Sequence, residues 1–191
     1  METANLVDAE RAFADAFGAF QTYAFRLEWR QIYDVEEERE LFRSFLKDGA
    51  AKSCPHEFVD GCKEIAQARA DGKLYQRVRR VTVPLSDYTR FEILNGYRFC
   101  VEAGEQVRIL ENADSNSDFA RSVGDISDFW LFDDKLCFEL EYNAQGQFVA
   151  AHKMEENRLP FYVAAKSKLW GMSVELGKSN AWKLAWTQQI P

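Results

Sequence analysis

Arg77, Arg79 and Arg90 are the residues whose type and spacing bear most directly on chemistry. Arg77 and Arg79 lie two apart in the valine-rich run LYQRVRRVTVP and share one face if that run is a strand. At about 100° per residue, Arg90 falls inside the apolar arc set by Phe91, Leu94, Tyr97 and Val101 of the helix expected next. A guanidinium taken out of water must be paired, most cheaply with a carboxylate in bidentate geometry. Two readings stand side by side. One is a structural arginine–carboxylate network that draws on Asp133 or Asp134; the other is a pocket for an anionic or polar ligand, with Tyr88 beside it and Trp130 as an apolar wall. The ligand-binding candidates are therefore Arg77, Arg79, Tyr88, Arg90, Trp130, Asp133 and Asp134.

Other groups point more weakly to chemistry. Glu139 and Glu141 share a strand face, where they serve acid–base work or simply the solvated side of a half-buried strand. Asp128, Asp133 and Glu139 with a divalent ion give the alternative reading, a phosphodiester-directed, nuclease-like enzyme. Cys54, His56 and Cys62 carry donors that zinc prefers, but they lack a tight cysteine pair and a fourth ligand, so no metal and no cofactor is expected. A nucleophilic cysteine beside His56 or His152 stays open. Gly177–Lys178–Ser179 lacks the upstream glycine of a phosphate-binding loop, and a helix C-cap is the expectation there. Neither a G-x-S-x-G elbow nor an H-E-x-x-H helix occurs, so no catalytic residue is assigned.

The elements that must position these residues follow from apolar spacing. Phe13, Phe17 and Phe20 predict one buried face of a helix over 8–20. AFRLEWRQIYDV alternates Phe25, Leu27 and Trp29 with Arg26, Glu28 and Arg30, which predicts a strand with its polar face in water. Helices are expected over EEERELFRSFLKDG and over 58–70, then a strand over 74–84 ended by Pro84. A long helix follows, with Ser86 as N-cap and Gly104 past its end, then a strand at 106–111 and a loop at 112–118. Strands at 128–132, 135–142 and 147–154 make an antiparallel meander. A helix from Leu159 to Leu176 and a last helix capped by Ser179 close the chain. The fold class is α+β: one domain over 1–191, a mixed or antiparallel sheet of about five to six strands packed with helices, and a C-terminal helical extension from about 158.

Composition narrows the functional classes. With 47% hydrophobic and 14% aromatic residues the 191-residue chain can bury a large core, the composition of a folded globular chain and not of a disordered one. A formal charge of −7 argues against general nucleic-acid binding, because phosphates must be met by a basic surface. No apolar run approaches the ~20 residues of a membrane span. METANLVDAERAF is acidic where a secretion signal is basic and apolar, so the four cysteines are read as reduced thiols and the location as cytoplasmic.

FRLE (25–28), RVRRVTVPLSDYTRFE (77–92), EAGEQVRIL (102–110) and DFWLFDDK with YNAQGQF (128–148) resemble, in order, the blocks of an uncharacterised bacterial family best known from actinobacteria. The resemblance spans about 25–150; the N-terminal helix and the tail after Leu159 depart from it. It implies no known activity, but members' genes often lie beside small helix-turn-helix regulators, which implies such a regulator as partner. The order of helix, AGEQVRIL strand, loop and strand ending in Asp133-Asp134 is also similar to half of a phospholipase D-like domain. The H-x-K-x4-D motif of those enzymes is missing: Ile126 and Asp128, or Ser127 and Phe129, stand where His and Lys would be. That likeness implies a non-catalytic, ligand-sensing version. The expected function is a non-enzymatic intracellular binding or regulatory module that recognises a partner protein or a polar or anionic small ligand, with homodimerisation through Trp182 and Trp186.

Overall fold

The computed structural model describes residues 2–111 and 126–187; the loop expected at 112–118 lies outside the described residues. In chain order the elements are α1 (Glu2–Ala19), β1 (Tyr23–Glu28), a 3-10 turn (Glu36–Glu38), α2 (Arg39–Asp48), α3 (His56–Ala70) and β2 (Leu74–Val81). Next come α4 (Asp87–Phe91), a π-helical segment (Glu92–Tyr97), α5 (Arg98–Ala103) and β3 (Gln106–Glu111). The meander β4 (Phe129–Phe132), β5 (Leu136–Tyr142) and β6 (Phe148–Lys153) precedes α6 (Leu159–Met172), β7 (Val174–Glu175) and α7 (Asn180–Thr187).

These strands form one mixed sheet in the order β6-β5-β4-β1-β2-β3-β7. The β1–β2 and β2–β3 pairs are parallel, and the rest are antiparallel. Parallel neighbours need crossovers, which α2 with α3 and α4 through α5 supply. On one face Phe25, Leu27, Val78, Phe129 and Leu131 pack under Tyr162, Ala165 and Leu169 of α6. Each fully buried Val, Leu or Phe side chain among them contributes about 1.5–3 kcal/mol of transfer free energy.

The other face is divided. Toward β4 and β5, α1 lays Phe13, Phe17 and Phe20 over Trp130, Phe132 and Phe138. Toward β3, Phe45, Phe91 and Ile93 from the helices meet Val81, Val107 and Ile109. Between these aromatic clusters, the middle of the sheet presents Arg26, Glu28, Arg77 and Arg79. The expected polar, solvated face of β1 is therefore corrected: Glu28 is only 2% exposed, because the helices cover both sides of the central strands.

The helix after Pro84 forms where expected, with the Thr89 N–H donating to Ser86 Oγ at 3.0 Å and Gly104 ending it at φ 119°. Its middle turn is π-helical. The helix from Leu159 stops at Met172 rather than Leu176. Arg108 holds Ser173, donating from Nε to Ser173 Oγ at 3.1 Å and from Nη2 to its carbonyl, so the chain extends and pairs as β7. Gly177–Ser179 is no helix C-cap: Gly177 and Lys178 belong to a 3-10 turn (Leu176–Lys178), and Ser179 Oγ accepts the Trp182 N–H at 3.0 Å as the N-cap of α7. Ala181 and Ala185 of α7 are buried on the α4–α5 side, while Trp186 is half exposed and stacks with Arg98.

Candidate functional site

Strand register builds the site. Arg26 stands opposite Trp130 on one side and Arg77 on the other, and Glu28 stands opposite Arg79. Like charges side by side on a covered sheet face demand counter-charges, and three glutamates provide them. Arg26 Nη2 lies 3.0 Å from Glu28 Oε1, and Arg77 Nη1 lies 2.7 Å from the same oxygen. Arg77 Nε donates to Glu105 Oε1 at 2.8 Å, and Arg79 Nη2 donates to Glu92 Oε2 at 2.5 Å. The Tyr97 hydroxyl sits between two of them, 2.7 Å from Glu28 Oε2 and 2.8 Å from Glu92 Oε1.

Burial works against ionisation of Glu28, yet Arg26, Arg77 and Arg79 outweigh it and hold that carboxyl at about 2. Glu92 has one adjacent guanidinium and the Glu28 charge nearby, and burial pushes it up to about 7. The network also stacks on rings: Arg26 lies 5.5 Å from the Trp130 ring centre, Arg77 5.0 Å from Tyr97 and Arg79 5.1 Å from Tyr33.

A cavity of about 850 Å³ opens over this network. Arg26, Glu28, Arg77 and Trp130 form part of its lining, with Phe58 of α3 and Tyr88, Gly96 and Tyr97 of the α4–α5 helix. The 34–39 segment and the β5–β6 turn also line it, as do Phe13 and Phe17 of α1. The segment and the turn are tied together: Asp34 N–H donates to the Gly146 carbonyl at 3.0 Å, and Gln147 Nε2 to Asp34 Oδ2 at 2.8 Å. Gly146 is required there, since its φ is 89° and a Cβ would stand 3.1 Å from the Ile32 carbonyl. Arg39 grips Asp34 with Nε and Nη2 at 2.7 and 2.9 Å.

Of the residues expected from sequence, Arg77, Tyr88 and Trp130 line the cavity. Arg79 is fully buried beside it and holds Glu92. Arg90 is directed elsewhere, to Asp87 at 3.4 Å and the Ala185 carbonyl at 3.4 Å. Asp133 and Asp134 lie apart from the network, in the β4–β5 turn with φ of 53° and 57°. Asp133 accepts N–H groups of Gln21, Thr22 and Tyr23 instead of a guanidinium. The arginines' partners are thus Glu28, Glu92 and Glu105, none of which sequence reading singled out. Arg26 was missed as well. The available signal was an Arg-x-Glu pair on one strand and an Arg-x-Arg pair on another, both buried once the strands are neighbours.

A smaller cavity of about 470 Å³ on the sheet brings together Asp128, Glu139, Glu141 and His152. Asp128 accepts from the Trp29 N–H at 2.8 Å and from the Tyr33 hydroxyl, Glu139 from the Tyr162 hydroxyl at 2.5 Å, and Glu141 meets His152 Nε2 at 2.7 Å. Among the described residues no group of three or more His, Cys, Asp or Glu is arranged to hold a metal ion. Cys54 and Cys62 approach to 3.8 Å between their sulfurs, and His56 begins α3. Hydrogen bonds from Cys100 and then Cys54 pull the Cys62 thiol down to about 6, against its burial.

A mixed seven-stranded sheet with helices on both faces, and a charged cavity on one of them, defines an α+β domain of the cavity-bearing kind. The chain belongs to the family described as a domain of unknown function, DUF6879, whose model matches residues 11–178. That stretch reaches beyond 25–150 at both ends, taking in α1 from Arg11 and the whole of α6, so these belong to the family pattern; α7 lies beyond it. No curated protein matches the chain. Among the described residues no helix is long and apolar enough to cross a membrane.

Proposed function

We propose that this chain is a non-enzymatic binding module, working in the cytoplasm in a regulatory role, that receives a small polar ligand in the cavity over β1 and β2. One observation carries the reading. The centre of the sheet, where a domain of this size ordinarily packs side chains to crystal-like density, is left open over about 850 Å³ and floored by arginines that are each bonded to a glutamate. That volume lies within the ~300–1,000 Å³ of small-molecule sites, and its mixture of aromatic walls with few placed polar groups is their usual chemistry. A network whose arginines are already held by glutamates orients a ligand without demanding that the ligand carry its countercharge. Recognition of a partner protein, a helix-turn-helix regulator among them, then follows from the occupied or empty state rather than from a separate site.

The test is a thermal-shift screen of the purified chain against amines, carboxylates, phosphates, sugars and nucleotides, run beside Gly96→Leu and Gly96→Ala. A Cβ at Gly96 meets nothing closer than the Phe58 ring at 3.9 Å, so Ala fits and Leu projects into the cavity. At least one ligand class is expected to raise the melting temperature of the wild type and of Gly96→Ala, with the rise lost in Gly96→Leu. No rise with any class, or a rise unaffected by Gly96→Leu, rejects the cavity as the binding site.

A further inference from the structure

The cavity is lined by six carboxylates, those of Glu28, Asp34, Glu36, Glu37, Glu38 and Glu92, against three guanidiniums. Most of that charge is already matched. Glu28 is shared by Arg26 and Arg77, Asp34 is held by two N–H groups on one edge of Arg39, and Glu92 is held by Arg79 from beneath. What is left over is Glu36, Glu37 and Glu38, which have no ion pair among the described residues.

A structural reading of these three glutamates exists, since they precede α2 and negative charge stabilises a helix N-terminus. The magnitudes decide against it as the whole explanation. A helix N-terminus presents about half a positive charge, so three carboxylates overshoot it severalfold. Glu38 is moreover half-buried and turned to the cavity side, its Oε2 accepting the Tyr88 hydroxyl at 2.9 Å. Its second oxygen has no partner among the described residues. Burial raises its pKa and the Glu28 charge adds to this, the Tyr88 hydrogen bond and the Arg26 and Arg77 charges offsetting it only in part; among the described residues no guanidinium forms an ion pair with it.

The walls complement that surplus. Of the aromatic rings in the lining, Trp130, Tyr97, Tyr33 and Tyr142 already carry arginines of the chain over their faces. Phe58 and Phe148 carry none among the described residues and are not fully buried, so their faces can receive a cation. An anion entering here faces the three glutamates, while every guanidinium it could seek is committed to a carboxylate. Arg26 Nε is buried without a hydrogen-bond partner, but its charge is matched by Glu28, so it calls for a neutral acceptor and not for an anion.

From these relations we propose that the ligand is an organic cation with an apolar body, an alkyl- or arylammonium, whose charged group sits at Glu38 with Glu36 and Glu37 behind it and whose body lies among the aromatic walls. The proposal rests on the cavity reading above and sets aside the anionic one of the two ligand classes, anionic or polar, that the arginines suggest in the sequence.

The test is isothermal titration calorimetry with three probes of one size: benzyltrimethylammonium, benzyl alcohol and benzenesulfonate. The cation is expected to bind the wild-type chain at least ten-fold more tightly than either of the others. Binding is expected to weaken at least ten-fold in Glu38→Gln, further in Glu36→Gln/Glu37→Gln/Glu38→Gln, and to vanish in Gly96→Leu. Gln keeps the size of the side chain, and a circular-dichroism melt of each variant checks that the fold is retained. Tighter binding of benzenesulfonate, or cation binding unchanged by Glu38→Gln or by Gly96→Leu, overturns the proposal. An anion that binds and is displaced by Gly96→Leu leaves the cavity reading standing without the cation. Failure of all three probes, together with a silent thermal-shift screen, removes both.

Discussion

Two N–H groups of Arg79, Nε at 3.2 Å and Nη2 at 2.5 Å, fall on the same oxygen of Glu92 and leave its other oxygen to the Tyr97 hydroxyl. That hydroxyl has one proton and two carboxylates within hydrogen-bond distance, Glu28 and Glu92. One of the two O···O contacts therefore needs a proton from a carboxyl. The surroundings identify which. Glu28 lies between guanidiniums that hold it at about 2, whereas burial lifts Glu92 to about 7.

The consequence is a stability curve that declines where most proteins are level. Between about 4.5 and 7, Glu92 binds a proton in the folded chain that it has lost in the unfolded one, so the unfolding free energy falls as pH rises through that window. One proton gives at most about 1.4 kcal/mol per pH unit. Glu28 acts oppositely: its contribution is complete above about 4.5 and is lost as pH falls toward 2. Urea unfolding midpoints from pH 3 to 8 are expected to peak near 4.5–5, and Glu92→Gln, which mimics the protonated form, is expected to reduce the decline on the alkaline side, leaving the smaller part that the raised Glu38 and Asp128 contribute. An unchanged decline in Glu92→Gln places the proton elsewhere.

The same network shows what the sequence makes legible. The strands at 106–111 and in the meander, the Ser86 and Ser179 caps and the crowding of Arg77 and Arg79 were readable because each rests on local spacing. That three arginines needed carboxylates was also readable. Which carboxylates was not, because the answer depends on strand order: Glu28 reaches Arg77 only because β1 and β2 are parallel neighbours in a register that sets Arg26 beside Arg77. Alternation marked Glu28 as solvated, since it cannot distinguish a face covered by helices from one open to water. The end of α6 at Met172 was hidden for a similar reason, as its apolar spacing runs on while Arg108, distant in sequence, captures Ser173. The cavity has no sequence signature, being space left between elements.

Among the thiols, Cys62 is expected to react first. Hydrogen bonds from Cys100 and Cys54 favour its thiolate and pull it down to about 6, while burial pushes Cys54 up to about 11. Iodoacetamide labelling followed by peptide mass spectrometry is expected to show a Cys62 rate that rises with pH around 6 and then levels. Cys54 is expected to lag at neutral pH. In Cys100→Ser, whose hydroxyl is also a donor, the midpoint is expected to stay low, whereas in Cys100→Ala it moves toward the ordinary thiol range near 8.5. A wild-type midpoint already in that range shows that the sulfur contacts do not stabilise the thiolate.

Asp133 is expected to serve the fold, by a mechanism that can be separated from ligand binding. Its Oδ1 accepts the Thr22 and Tyr23 N–H groups at 2.8 and 2.9 Å, and Oδ2 accepts the Gln21 N–H at 2.7 Å, fastening the chain between α1 and β1 to the β4–β5 turn. Burial works to raise its pKa, and the hydrogen bonds from Thr22, Tyr23 and Gln21 outweigh it, holding the carboxyl at about 2. Asn tolerates the left-handed backbone at φ 53°, so Asp133→Asn removes the charge and one acceptor while leaving the turn geometry open to it. By analogy with loss of a helix cap the cost at pH 7 is about 1 kcal/mol, kept at the low end because water screens a group this close to the surface. For a domain of this size that is a fall of about 2–4 °C in melting temperature. The folded pKa lies below the unfolded value, so the advantage of the wild type is complete above about 3.8 and fades as pH falls toward 2. Melting curves of the two proteins are therefore expected to differ at pH 7 and to converge below pH 3. A gap that persists at low pH assigns the cost to side-chain shape, and no gap at pH 7 removes Asp133 as a fastening of the turn.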